Sequence, residues 1–175
     1  MPDEKPDIVF CGIGDYLTKE CLAAITLIKA ELPSVKIRFV NVLELCALGI
    51  GNSECHAPLN DFANYFTHEK PVIFNFHGYP DVIKKLVFGH PAAQRFSLHG
   101  YKEEGTTTTP FDMHVRNETS RFHLVMDALI KGAKVNEKVA KLAPKLLAKF
   151  ERKLTQHQKF ILKYGRDMDE IDAWK

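Results

Sequence analysis

Asp7 to Gly14 reads DIVFCGIG, an apolar run that is interrupted only by the glycines that end it. A strand with one wet face alternates polar and apolar residues. One that is apolar throughout is covered on both faces, as in a parallel sheet lying between helices. Downstream, Thr18 is placed to cap a helix through about Leu32, with Leu22, Ile25, Leu27 and Ile28 as its apolar positions and Pro33 after its end. Val35 to Val42 (VKIRFVNV) alternates at first and then turns apolar, a second strand. Strand, helix and strand at this spacing imply a parallel crossover.

The pattern continues along the chain. Leu43 to His56 reads as a short helical turn and a loop, and Asn60 to Phe66 as a turn or two of helix with Phe62, Tyr65 and Phe66 inward. Pro71 to Phe76 (PVIFNF) is the most β-rich run and ends at His77-Gly78-Tyr79-Pro80. Asp81 would cap a helix over Val82 to Phe88, and Phe96 to Gly100 makes a fourth strand. Tyr101 to Arg116, with four threonines Thr106 to Thr109, reads as a long loop, the first place to look for a site. Helices over Glu118 to Lys131 and Asn136 to Tyr164 follow, the second opened or kinked at Pro144, and Gly165 to Lys175 is an irregular tail. These elements predict an α/β fold of three layers, a mostly parallel sheet flanked by helices, in a single domain over residues 1–175.

Composition narrows the function classes. At 175 residues, 45% hydrophobic and 26% charged, the chain matches soluble globular proteins and excludes disordered, collagen-like and coiled-coil classes. Its longest nearly unbroken apolar stretch, Cys21 to Ile28, falls far short of the roughly 20 residues a membrane helix needs. The N-terminus lacks the apolar core of a secretory signal, so the expected setting is the cytoplasm, with no membrane partner. A net charge of +2 argues against a nucleic-acid partner. Lys134, Lys138, Lys141, Lys145, Lys149 and Arg152 do line one face of the last helix, read as a solvated or subunit-facing surface. Cys11, Cys21, Cys46 and Cys55 match no metal spacing and read as buried free thiols.

The chemistry-bearing words are few. Gly12-Ile13-Gly14 resembles the opening of a dinucleotide fingerprint, but Leu17 stands where the third glycine belongs, which favours a plain tight turn. His77 and His99 close adjacent strands, so they can share a crevice with Tyr79, Tyr101, Lys102 and Glu103. Gly78 and Gly105 offer bare backbone, and Thr106, Thr107, Thr108 and Thr109 offer hydroxyls suited to a small anion such as a sugar phosphate. The competing reading keeps the same residues for contact with another domain. No catalytic, cofactor or metal residue is assigned.

Five stretches carry a resemblance: VKIRFVNV (35–42), KPVIFNFHGYP (70–80), HGYKEEGTTTTPFDM (99–113), RFHLVMD (121–127) and YGRDMDEIDAWK (164–175). Together they resemble the C-terminal domain of phosphoketolase, a thiamine-diphosphate enzyme related to transketolase. The resemblance implies a transketolase C-terminal-domain fold. It also implies a parent enzyme, an aldehyde-lyase, that cleaves xylulose 5-phosphate or fructose 6-phosphate with phosphate to acetyl phosphate and an aldose phosphate. Thiamine diphosphate and Mg would belong to the preceding domains, since the chain lacks a Gly-Asp-Gly with a distal Asn. On this reading the chain is a structural, dimer-supporting piece of a longer enzyme, inactive alone, with a regulatory role left open. The alternative is a free-standing α/β ligand-binding protein or enzyme built around His77, His99 and Lys102.

Overall fold

The computed structural model describes residues 5–48, 59–89, 92–102 and 107–173. Four strands, β1 (Ile8–Ile13), β2 (Ile37–Asn41), β3 (Val72–Phe76) and β4 (Phe96–His99), form one sheet in the order β2-β1-β3-β4. Every pairing is parallel, with Val9 opposite Arg38 on one side and Val72 on the other. The helices are α1 (Asp15–Glu31), α2 (Leu59–Phe66), α3 (Pro80–Phe88), α4 (Pro110–Arg116), α5 (Arg121–Gly132), α6 (Glu137–Tyr164) and the short α7 (Asp169–Asp172). Two 3-10 turns, Leu45–Leu48 and Ala93–Arg95, complete the described elements.

The uniform apolarity of β1 has the expected cause. Ile8 and Phe10 join Ile73 in a core with α1, α4, α5 and α6, while Val9, Cys11 and Ile13 join Val72 and Phe74 in a second core with α2 and α3. Side chains alternate across a strand, so a sheet covered on both faces needs apolar residues at every position. The architecture is therefore the three-layer α/β fold read from the sequence. No helix among the described residues is long and apolar enough to cross a membrane.

Several boundaries differ from the sequence reading. Helix α1 begins three residues before Thr18, because Gly14 adopts φ +89° and its carbonyl accepts the Thr18 amide at 2.9 Å. Helix α3 begins at Pro80, whose fixed φ and missing N–H suit a first helical position, and Asp81 pairs with Lys84 instead of capping. The expected loop of residues 101–116 contains α4, capped where Thr109 Oγ1 accepts the Asp112 amide at 3.3 Å. Helix α5 starts at Arg121, after the left-handed Glu118 (φ +56°). In α2, Phe62 and Phe66 are buried at i and i+4, which rotates Tyr65 out to solvent. Pro144 lies inside α6 on its exposed side and does not open the helix, which Asn136 caps. The tail is not wholly irregular, since α7 docks Ile171 into the first core. Cys11 and Cys21 are buried, with burial raising both thiols, whereas Cys46 is exposed. Cys55 lies outside the described residues.

Candidate functional site

Strand order β2-β1-β3-β4 reverses the direction of winding between β1 and β3, so the carboxyl ends of these strands border the switch point where open α/β sheets bind ligands. Gly14 and His77 meet there. A side chain on Gly14 would come within 2.6 Å of His77 Cβ, so the glycine serves the close approach of the two turns and not a pyrophosphate. The next turn is equally tight: the Tyr101 amide donates to the Gly78 carbonyl at 2.9 Å, and a Cβ on Gly100 would collide with that oxygen.

The predicted residues do not form one constellation. His77, Tyr79 and Tyr101 form an exposed aromatic cluster, with ring centroids 5.4 Å apart for His77–Tyr101 and 6.2 Å for Tyr79–Tyr101. His99 leaves that cluster for α5: Nδ1 lies 2.8 Å from the Glu118 carbonyl oxygen and Nε2 3.0 Å from Asp127 Oδ2. Lys102 pairs through Nζ with Glu118, and its amide donates to Asn117 Oδ1 at 2.8 Å. Glu118 thus has a partner for its carbonyl and its carboxylate, which fastens a backbone conformation that L-residues disfavour. Of the threonines, Thr108 donates to Asp112 Oδ2 and Thr109 to Asp167 Oδ1, each at 2.6 Å, while Thr107 is exposed. Glu103, Gly105 and Thr106 lie outside the described residues.

Electrostatics reinforce these attachments. The Lys102 ammonium holds the Glu118 carboxyl below its usual range. Burial pushes the Asp127 carboxyl up, but hydrogen bonds from His99 and Ser97 outweigh it and leave the group below the carboxylate norm. Burial lowers His114, even though Glu20 and Asp167 pull the other way. Ser120 Oγ lies 2.8 Å from His123 Nδ1, yet Ser120 is fully buried, so no substrate carbonyl can reach this Ser–His contact.

Residues that the sequence reading passed over carry much of the frame. Asn75 is buried in β3 and donates to the carbonyls of Leu17 at 3.2 Å and Thr119 at 3.1 Å, joining the sheet to α1 and to the turn before α5. A polar residue within PVIFNF was its one sequence signal. Arg121 and Glu20 make a buried two-pronged ion pair, 2.6 Å at Nη2 and 3.0 Å at Nε. His157 is fully buried 3.6 Å from Asp112 and 3.9 Å from Asp167, and burial lowers it despite both carboxylates. Beside these groups lies a cavity of about 450 Å³ between α1, α4 and the C-terminal tail, and Thr109 is the predicted site residue that lines it.

The family model for the XFP C-terminal domain matches residues 1–175. The chain belongs to this family. In keeping with that, it is 40% identical to a probable phosphoketolase of Pseudomonas putida over 99% of its own length, which is 22% of the relative's. Probable phosphoketolase 2 of Nostoc sp. is 42% identical and a probable phosphoketolase of Brucella abortus 43% identical, each over 98% of this chain and 21% of the relative. The chain thus spans about a fifth of the length of the curated relatives it matches. The resemblance seen in KPVIFNFHGYP and HGYKEEGTTTTPFDM is therefore a family relationship. Both stretches contribute to the carboxyl edge of this XFP C-terminal domain.

A half-buried histidine near that edge, His123, predicts a pH dependence. Burial pushes the His123 imidazole down to about 4, against the attraction of Glu118. Unfolding restores the ordinary value near 6.5, so between these pH values the unfolded chain binds the extra proton. The contribution to stability is full above about 6.5 and is lost as pH falls toward about 4. Urea midpoints should fall between pH 7 and pH 5, and His123→Gln should flatten that slope. An unchanged slope in the variant would contradict this.

Proposed function

We propose that the chain works as the C-terminal domain of a phosphoketolase. Its parent would cleave xylulose 5-phosphate or fructose 6-phosphate with phosphate, giving acetyl phosphate and an aldose phosphate in the cytoplasm. The observation that carries this reading is the match of the whole chain, at 40–43% identity, to about a fifth of each named phosphoketolase. The lyase chemistry would rest on thiamine diphosphate and Mg bound elsewhere in that enzyme. Among the described residues no three His, Cys, Asp or Glu side chains converge to hold a metal ion. On this reading no step of the reaction is assigned to them.

The role that suits this chain is docking and support. The exposed His77, Tyr79 and Tyr101 cluster at the carboxyl edge provides an aromatic surface with polar tips, the residue types favoured in interface cores. The flanking residues His99 and Lys102 are tied to Glu118, and His99 also to Asp127, which anchors the chain on either side of Tyr101. We assign the cluster to contact with the preceding domains, and we assign the domain a supporting part in a symmetric dimer.

Exchange into a relative tests the reading. The Pseudomonas putida protein without its matched C-terminal fifth should lose acetyl phosphate production from xylulose 5-phosphate and phosphate. Fusing this chain in that place should restore it. A soluble chimaera with no activity would sink the proposal, and so would acetyl phosphate made by the 175-residue chain alone with thiamine diphosphate and Mg.

A further inference from the structure

We propose that the cavity between α1, α4 and the C-terminal tail binds a small metabolite through a carboxylate or phosphate group, with Lys19 as its charged anchor. The cavity lies beside the carboxyl end of β1, at the edge where this sheet type takes its ligands. Its volume of about 450 Å³ falls within the range of small-molecule sites and exceeds what a bare oxyanion fills. The bound molecule therefore has a carbon skeleton, which Phe111, Pro110 and Ile171 can cover.

The sign of the ligand's charge follows from which wall groups are already engaged. Two carboxylates line the cavity, and both are committed within the protein. Glu20 accepts from the Arg121 amide, Nε and Nη2 at 2.6–3.0 Å. Asp167 accepts from Thr109 Oγ1 at 2.6 Å and from the Phe111 amide at 3.3 Å. Arg166, a third charged wall residue, is paired with Asp169. Lys19 differs: it is half-buried and lines the same cavity, and its ammonium makes no hydrogen bond or ion pair with any described residue. An amine or metal ion would meet an ammonium and saturated carboxylates, whereas an oxyanion would meet an unmatched cation. His114 adds a second polar contact. Its Nδ1 is held 3.1 Å from Thr119 Oγ1 and its ring lies 5.9 Å from that of Tyr16, which leaves Nε2 for the ligand.

The tail makes the site preformed. Gly165 ends α6 in the left-handed conformation (φ +64°), and the chain then turns back so that Arg166 and Asp167 form a wall. The Thr109–Asp167 hydrogen bond on one side and the buried Ile171 on the other fix that wall.

The test is an NMR titration of the 175-residue chain with inorganic phosphate and, separately, with malonate, at an ionic strength held constant with chloride. Saturable shifts are expected at the amides of Tyr16, Lys19, His114 and Gly165 at millimolar anion. Saturation by phosphate alone assigns a phosphate ester, and saturation by malonate alone assigns a carboxylate. Lys19→Ala should weaken binding by about 10- to 100-fold, the loss of one charge-assisted hydrogen bond. Lys138→Ala, on the exposed side of α6, should leave it unchanged. Shifts that fail to saturate with either anion, or equal binding by wild type and Lys19→Ala, would overturn the proposal.

Discussion

Arg121→Met should cost about 3–5 kcal/mol of folding stability, because it strands a buried carboxylate. Arg121 and Glu20 are 4% and 3% exposed, and three donors of Arg121, its amide included, reach the two Glu20 oxygens. The guanidinium also lies over the Phe111 ring at 5.3 Å. Removing it leaves Glu20 one backbone donor and, among the described residues, no ion-pair partner. The penalty is thus mainly the desolvation of an unpaired charge and not the net worth of the pair. Glu20→Leu combined with Arg121→Met should recover most of the loss, since two apolar groups of similar volume need no partner. Urea unfolding of the wild type, the single and the double variants gives the comparison. If the double variant were as unstable as Arg121→Met, desolvation of Glu20 would not be the cause.

Phe10→Ala should cost a similar amount, about 3–5 kcal/mol, from lost transfer energy and the cavity left behind. Phe10 is fully buried in the middle of β1, with Phe39 and Ile73 opposite it in the neighbouring strands. Hydrogen-bonded strands on both sides, β2 and β3, restrict collapse around the deleted ring, which keeps the cavity cost high. Set against a typical total of about 5–15 kcal/mol, this removes a large share of the stability. Phe88→Ala is the matched control: Phe88 is 87% exposed at the end of α3, and its loss should fall within about 0.5 kcal/mol. Thermal or urea midpoints distinguish the two. Equal shifts for Phe10→Ala and Phe88→Ala would contradict the assignment of the core.

The layered parallel sheet was legible because its signals are local. DIVFCGIG and PVIFNF are apolar nearly throughout and bounded by glycine or proline, and the pleat converts that pattern into two buried faces, while the alternation in VKIRFVNV suits the half-buried edge strand β2. The family relationship was legible for the same reason, being carried by contiguous words such as KPVIFNFHGYP. Of the site, the sequence placed His77, Tyr79 and Tyr101 together at one edge, because parallel strands bring their carboxyl ends side by side.

What the threonines and His99 do was decided by residues remote in the chain. Thr109 finds Asp167 across 58 positions, His99 finds Asp127 across 28, and Glu20 finds Arg121 across 101. No spacing rule reaches that far. A hydroxyl that reads as an anion donor in TTTTP becomes a structural tie once a carboxylate from the tail packs onto it, and Lys19 became a candidate anchor only because the fold left it unmatched. Local periodicity by itself determined which faces are apolar and hence the layers. The partners of buried polar groups depend on which distant donors and acceptors packing brings within about 3 Å, and only the tertiary structure decides that.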